Sequence, residues 1–109
     1  MRPMWAVLHA LSPVLALAVN VYASAQASPA ALAEQRGCLQ CHSPYPPRLG
    51  PDFADVADHY RDDPEATSRL IDWLETGGRG HWGDEYEMSA QSHLRPGEAE
   101  ALVKWILAR

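Results

Sequence analysis

Apolar residues along most of this chain recur three and four positions apart, which is the spacing of a helix with one buried face. On this basis four helices are predicted, over residues 29–36, 53–60, 64–76 and 98–108. No stretch has the alternation of apolar and polar residues that is typical of a half-buried strand. The pattern therefore predicts a small all-α domain.

Local end signals support these helices. Ser28 is a predicted N-cap with Pro29 at the first helical position, and Gly37 ends that helix. Asp63 and Pro64 are predicted to take the same two roles at the start of the third helix.

Two segments are expected to be irregular. Residues 43–51 contain four prolines, which exclude a regular helix or strand. Residues 77–95 contain several glycines and no hydrophobic period, so a long structured loop is predicted there. Loops of this length in a compact domain are often functional.

The first 25 residues differ from the rest. Arg2 precedes an apolar run over residues 5–23, and small residues follow as Ala23-Ser24-Ala25 and Ala25-Gln26-Ala27. This order is typical of a secretory signal peptide, with cleavage after Ala25 or Ala27. An uncleaved membrane anchor is the alternative, although polar residues and a proline interrupt the run.

Without residues 1–25, residues 26–109 form one predicted domain of 84 residues. A chain this short usually needs a metal, a cofactor or cross-links to complete its core. The full chain has 9 Lys and Arg against 14 Asp and Glu, and Arg2 is the only charged residue of the first 25, so the remaining net charge is −6. This charge argues against nucleic acid and anionic lipid as partners.

The strongest chemical signal is the segment Cys38-Leu39-Gln40-Cys41-His42. Its C-x-x-C-H spacing is typical of c-type haem, which is attached to the two cysteines and bound at its iron by the histidine. A thioredoxin-like redox pair, half of a zinc site and a short disulfide are weaker alternatives, because the chain lacks a βαβ pattern and has only scattered histidines. Haem of this kind is attached outside the bacterial inner membrane, so the motif and the signal peptide together predict a periplasmic protein.

The haem motif leaves the second axial ligand of the iron to be identified. Met88 is the only methionine beyond the predicted signal peptide, and it lies in a polar part of the long loop. A methionine sulfur opposite the histidine raises the reduction potential, whereas simple packing is the commoner role of methionine. His59, His81 and His93 are alternative ligands. A further alternative is an iron whose second axial position is open to a gas or peroxide.

The order of several motifs resembles the short bacterial class I cytochromes c. The resemblance covers about residues 33–108 and rests on the haem motif, Leu49-Gly50-Pro51-Asp52-Phe53-Ala54-Asp55-Val56-Ala57, Trp82-Gly83, Met88 and the run 98–107. It implies the all-α class I cytochrome c fold, with roughly three to five short helices around one haem c bound covalently through Cys38 and Cys41. It also implies an electron carrier of a respiratory chain, not an enzyme, with His42 and Met88 as axial ligands.

Further roles follow only from this resemblance. The carbonyl of Pro51 would accept a hydrogen bond from the His42 ring, which orients the ring and raises its basicity. The indole N–H of Trp82 would reach a haem propionate, and the amide of Gln91 would lie near the methionine sulfur.

The resemblance also predicts how the helices pack. Around Ala33 and Gly37 the first helix would contact the last helix, at Leu102 and Trp105. Trp105 is expected to have no role other than packing in the core.

Three positions depart from the family pattern. Glu87 and Ser89 replace the prolines that usually flank the methionine, and Trp73 stands where an arginine usually reaches a propionate. Arg48 or Arg79 is expected to supply that positive charge instead.

An acidic cluster lies beside the predicted methionine ligand, at Asp84, Glu85 and Glu87. Its simplest interpretation is a solvated loop. The alternative is a docking rim that attracts a basic face of a redox partner.

Three functions are therefore weighed. The leading one is a soluble periplasmic electron carrier, a monomer whose partners are redox proteins and which binds no small-molecule substrate. The second is the haem c subunit of a periplasmic dehydrogenase, such as a sulfite- or alcohol-oxidising enzyme. The third is a haem protein with an open site for a gas or peroxide.

Overall fold

Four helices make up the regular structure of the described chain. The computed structural model describes residues 26–79, 82 and 87–109. Within these ranges lie α1 (Pro29–Gln35), α2 (Phe53–His59), α3 (Ala66–Thr76) and α4 (Glu98–Leu107), together with a short 3-10 helix at Cys38–Gln40. The described residues form no strand, and a single isolated bridge pairs Gly78 with Met88. The predicted all-α fold is confirmed, and the predicted signal peptide lies outside the described residues.

The ends of α1 are determined by short-range interactions that the sequence predicts. The Ala31 N–H donates to Ser28 Oγ at 3.2 Å, and Pro29 is the first helical residue. Gly37 follows the helix with a φ of +80°, in the left-handed region that glycine enters without steric cost. The chain therefore turns immediately before Cys38.

Helix α3 begins two residues later than predicted, at Ala66, and its N-cap is Glu65. The predicted N-cap role of Asp63 is wrong. Its Oδ1 instead accepts the N–H of Glu65 at 2.9 Å, which makes a tight turn through Pro64 ahead of the helix. An aspartate before a proline favours both arrangements, because its side chain can accept either a turn N–H or a helix N–H.

Helix α4 is the central element, since it packs against α1, α2 and α3. The main cluster of buried side chains comes from three of these helices and consists of Leu32, Ala33, Phe53, Val56, Leu102 and Ile106. Ala33 has no exposed surface and Leu102 only 1%. Trp105 packs against this cluster, with its ring edge-on to Phe53 at a centroid distance of 5.6 Å. The predicted packing of α1 on α4 is confirmed.

An ion pair joins the C-terminal end of α1 to the first turn of α4. Arg36 donates from Nε to Glu98 Oε2 at 2.9 Å and from its terminal NH2 group to Oε1 at 2.7 Å. Glu98 Oε2 also accepts the backbone N–H of Arg95 at 3.0 Å. The two helices are thus held together directly beside the cysteine motif. In the part of the chain that the structure describes, no helix has the length and hydropathy needed to cross a membrane.

Candidate functional site

A largely apolar cleft of about 330 Å³ lies between the helices and the two irregular segments. Its walls come from α2, α3 and α4, through Phe53, Val56, Leu70, Leu74, Leu102, Val103 and Ile106. The seven residues assigned to the haem site from the motif and the resemblance all line this same cleft: Cys38, Cys41, His42, Pro51, Trp82, Met88 and Gln91. Residues from the two halves of the domain therefore border one apolar space.

The two cysteines line the cleft from a tight 3-10 turn that begins at Cys38 and has Cys41 as its C-cap. Cys38 is half-buried and Cys41 is exposed. The carbonyl oxygen of Cys38 accepts the N–H of Cys41 at 3.2 Å and that of His42 at 2.9 Å, which fixes the spacing of the motif. Burial raises the pKa of the Cys38 thiol, because an apolar environment disfavours the thiolate.

The three alternatives to haem at this motif find little support. The thiols do not form a disulfide. Among the described residues, no group of three or more His, Cys, Asp and Glu could hold a metal ion such as zinc. A thioredoxin-like pair normally belongs to a βαβ unit, whereas these cysteines lie between helices.

The His42 ring is held by three neighbours. Its Nδ1 lies 2.7 Å from the carbonyl oxygen of Pro51, the atom with which the resemblance pairs it. The Phe53 ring stacks on the imidazole, with centroids 5.1 Å apart and planes 18° apart. A Cβ added to Gly50 would lie 2.6 Å from the imidazole Cε1, so only glycine permits this approach. The hydrogen bond uses Nδ1, which leaves Nε2 as the ring nitrogen that can bind a metal.

Met88 reaches the cleft on a segment that is paired with the end of α3. Its side chain is half-buried, and its backbone exchanges two hydrogen bonds with Gly78, of 2.8 and 2.9 Å. Gln91, three residues on, donates its N–H to the Leu74 carbonyl at 2.7 Å. The Gln91 side-chain amide donates to the Ser89 carbonyl oxygen at 2.6 Å. This amide therefore contacts the backbone of the residue directly after Met88.

Trp82 lies at the mouth of the cleft with 44% of its surface exposed. Its ring centroid is 4.9 Å from that of His59. His59 therefore contacts Trp82, which lines the cleft, but His59 is not itself among the cleft-lining residues. His93 is bound elsewhere, with Nε2 3.1 Å from the Arg36 carbonyl oxygen. The third alternative ligand, His81, lies outside the described residues.

The two candidate arginines are placed beside carboxylates and not among the cleft-lining residues that the structure describes. Arg48 lies 3.8 Å from Asp55 Oδ2, and Arg79 Nε lies 3.9 Å from Glu87 Oε2. Both contacts are at the outer limit of an ion pair. Of the acidic cluster, only Glu87 is among the described residues, and it is exposed.

Several residues that shape the site were not identified from the sequence. Gly50 and Phe53 contact the His42 ring, and Gly77 contacts the backbone of the Met88 segment. The available signal was modest: Gly50 and Phe53 belong to one of the family-like segments, and Gly77 opens a Gly-Gly pair at the end of a helix. Neither pattern by itself indicates which atoms of the protein the glycine approaches.

The residues present fit a haem. A flat, mainly apolar group needs an apolar cleft, and the cleft supplies one between three helices. Covalent attachment needs two thiols at one edge, and axial ligation needs an imidazole nitrogen and a sulfur. Cys38, Cys41, His42 and Met88 bring these four groups to the same cleft.

Comparison with known proteins agrees with this fit, although no family model matches the chain. A cytochrome c-551 of Allochromatium vinosum is 41% identical over 76 residues, which cover 70% of this chain and 80% of that protein. A cytochrome c-552 of Hydrogenobacter thermophilus is 36% identical over 98 residues, or 90% of this chain and 93% of the relative.

Solved structures show the same fold. The crystal structure of Nitrosomonas europaea cytochrome c552 matches with a TM-score of 0.66 and 32% identity, over 72% of this chain and 96% of that one. Class 1 cytochrome MtoD from Sideroxydans lithotrophicus ES-1 matches with a TM-score of 0.61 and 27% identity, over 74% and 91% of the two chains. The chain therefore belongs to the class I cytochromes c, electron-transfer proteins and not enzymes, which carry one covalently bound haem c.

Proposed function

We propose that this cytochrome is a periplasmic electron carrier whose haem iron is bound by His42 and Met88. The observation that carries the proposal is that these two residues, which are far apart in the sequence, border one apolar cleft with both cysteines. The haem supplies an iron that accepts and returns one electron. The protein's part is to hold that iron between two fixed ligands and to exclude water from it.

Cys38 and Cys41 fix the haem to the chain. Each thiol would add across one vinyl group of a bound haem, so that a carbon–sulfur bond forms and the thiol hydrogen passes to the neighbouring vinyl carbon. The 3-10 turn and its C-cap residue bring both cysteines into the lining of the same cleft. Two covalent bonds prevent loss of the cofactor during repeated electron transfer.

His42 and Met88 determine how strongly each oxidation state is favoured. The 2.7 Å contact with the Pro51 carbonyl orients the imidazole and raises its basicity, which favours the ferric state. The methionine sulfur favours the ferrous state and raises the potential. Two side chains held by the fold would let a bound haem accept and return an electron with little rearrangement of the protein.

Trp82 and Gln91 are assigned supporting roles. The exposed position of Trp82 at the cleft mouth suits an indole N–H that donates to a propionate at the haem edge. The hydrogen bond from Gln91 to the Ser89 carbonyl suits a residue that stiffens the turn after Met88. Arg48 and Arg79 need to leave weak carboxylate contacts before either can approach a propionate.

Export is part of the same proposal, with residues 1–25 as a signal peptide and residues 26–109 as the mature domain. The support is the order of basic, apolar and small residues at the N-terminus. The mass of the haem protein purified from periplasm distinguishes cleavage after Ala25 from cleavage after Ala27. A retained leader in a membrane fraction would contradict cleavage and support the anchor.

The partners of the cytochrome are other redox proteins, and the acidic segment 84–87 is proposed as a docking rim for a basic face. Glu87 is exposed, and the mature domain carries a net negative charge that would favour such an encounter. Electron-transfer rates with a basic partner should then fall as salt rises. Rates that are independent of salt would contradict the docking rim.

The axial ligands are tested by Met88→Ala in the haem-loaded protein. The ferric wild-type protein should show the weak far-red absorption of a sulfur–iron bond, and the variant should lose it. Its reduction potential should fall because the thioether no longer favours ferrous iron. Ferrous variant protein should also bind carbon monoxide readily.

Leu94→Ala is the matched control, because Leu94 is a half-buried residue of the same loop that packs on the core without lining the cleft. It should keep the far-red absorption and the potential. If Met88→Ala keeps both as well, Met88 is not the ligand. If the wild-type ferrous protein itself binds carbon monoxide readily, an open-site haem protein replaces the carrier.

A further inference from the structure

The segment that carries Met88 has no covalent restriction of its own. Between Pro64 and Pro96 the chain contains no proline, so no pyrrolidine ring fixes a φ angle next to Met88. Its position must therefore come from contacts with other parts of the protein.

Those contacts are with the end of α3. The Met88 N–H donates to the Gly78 carbonyl at 2.9 Å, and the Gly78 N–H donates to the Met88 carbonyl at 2.8 Å. The Gln91 N–H donates to the Leu74 carbonyl at 2.7 Å. Three backbone hydrogen bonds thus attach this segment to a helix terminus, and the segment follows any movement of that terminus.

Gly77 lies at the closest point of this attachment. A Cβ there would lie 2.6 Å from the Met88 carbonyl oxygen, 2.6 Å from the Ala90 nitrogen and 2.9 Å from the Ser89 carbonyl carbon. All three are backbone atoms, which cannot rotate away as the end of a side chain can. Gly77 also has φ +68° and ψ −168°, a backbone conformation that is essentially restricted to glycine.

We propose that Gly77 is a positioning residue for Met88: the absence of a side chain lets the Met88 segment lie against the end of α3, and this contact holds the sulfur at the iron. The inference rests on the proposed role of Met88 as axial ligand. A side chain at position 77 would push the segment away from α3 and loosen the sulfur–iron bond, while leaving the cysteines and His42 in place.

The test is Gly77→Ala in the full haem-loaded protein. Most of the Met88-dependent far-red absorption of the ferric form should be lost. The reduction potential should fall by at least ~59 mV, which corresponds to a tenfold shift from ferrous to ferric iron in a one-electron couple. The reduction potential should fall because the lost ligand favours ferrous iron.

Gly97→Ala is the matched control. Gly97 also has a positive φ, of +85°, but a Cβ added there meets no atom within 4 Å. This variant also places a side chain at a positive φ, in the left-handed region (ψ −15°) and not at the ψ of −168° found at Gly77, and it lacks the contact with the Met88 segment. It should lose stability and keep both the far-red absorption and the potential. Equal loss of both signals in the two variants would show a general effect of strain and overturn the positioning role.

The outcome for Met88→Ala separates this inference from the proposed function. If Met88→Ala loses the absorption and folded Gly77→Ala keeps it, only the positioning role fails. If Met88→Ala keeps it, the ligand assignment fails.

Should Gly77→Ala not incorporate haem, amide hydrogen exchange of the unmodified protein decides. The Gly78 and Met88 amides should be protected as strongly as those of α3. Exchange as fast as at exposed Ser92 would overturn the inference.

Discussion

The neighbours of the His42 imidazole hold the ring in position and do not themselves react. The Pro51 carbonyl accepts from Nδ1, Phe53 stacks on one side of the ring, and the Gly50 backbone closely approaches the ring. The motif identifies His42 as a ligand without any knowledge of these contacts. They determine its orientation, and therefore how strongly it donates to iron.

A methyl group at Gly50 should disturb this arrangement. In Gly50→Ala the new Cβ would lie 2.6 Å from Cε1 and 2.8 Å from Nδ1 of His42, so the ring must move. Gly50 is not among the glycines with positive φ, so the cost comes from the contact and not from the backbone. Overpacking of this kind costs about 1–3 kcal/mol of stability.

The measurements for Gly50→Ala are the denaturation midpoint and the paramagnetically shifted His42 ring signals in the ferric protein. A lower midpoint with shifted ring signals is expected. An unchanged midpoint together with unchanged ring signals would show that the ring has room for a methyl group.

At the scale of elements, the pair of Arg36 and Glu98 links α1 to α4. The two hydrogen bonds from Arg36, and then the one from the Arg95 N–H, lower the pKa of Glu98 from 4.5 to about 2. Both side chains are largely shielded, with 22% and 16% of their surface exposed. A carboxylate with a lowered pKa stabilises the fold while it is ionised, since the unfolded chain binds its proton more readily.

The stability contributed by Glu98 should therefore be complete above pH 4.5 and should be lost as the pH falls toward about 2. Glu98→Gln should reduce stability at neutral pH and flatten the acid-induced decrease over that interval. The measurement is the unfolding temperature of each protein across the pH range.

Glu100→Gln is the control on the same helix. Glu100 pairs with Lys104 at 2.7 Å, and that hydrogen bond lowers its pKa, but both side chains are more than half exposed. Exposed pairs contribute little to stability. If the two variants flatten the acid response equally, the link between α1 and α4 has no special role.

The elements themselves were predictable wherever local signals decide. The boundaries of α1 follow from Ser28, Pro29 and Gly37, and these agree with the structure. Asp63 was assigned wrongly, because one side chain suits both a turn and a helix cap. The chemistry of the cleft was also predictable, since Cys38 to His42 form a specific motif.

The tertiary contacts of the site were not predictable. The approach of Gly50 to His42 spans eight positions of irregular chain, and that of Gly77 to the Met88 segment spans a loop without periodicity. Such distances depend on how the helices pack, which no local pattern records. The same applies to the pairing of Arg36 with Glu98, 62 positions apart.

At the scale of the whole molecule, the core and the haem cleft share several of their apolar side chains. Among the described residues, nine apolar side chains are buried. Five of them also line the cleft: Phe53, Val56, Leu102, Val103 and Ile106. A domain of this length has little further apolar surface to bury, so the haem completes the core.

Loss of haem attachment should therefore unfold the domain. In the double variant Cys38→Ser and Cys41→Ser no thioether bonds form, and the haem-free chain should lose most of its helical circular dichroism and show no cooperative thermal transition. Without haem the apolar lining of the cleft faces water, at a cost of about 25 cal/mol for each Å² of apolar surface, against the roughly 5–15 kcal/mol that stabilises a typical domain. Leu39→Ser is the matched control, because Leu39 lies between the two cysteines and is 38% exposed. It should retain haem and fold normally. A haem-free double variant that keeps a cooperative transition would show that the helices form a sufficient core alone, and that the haem is only carried by the fold.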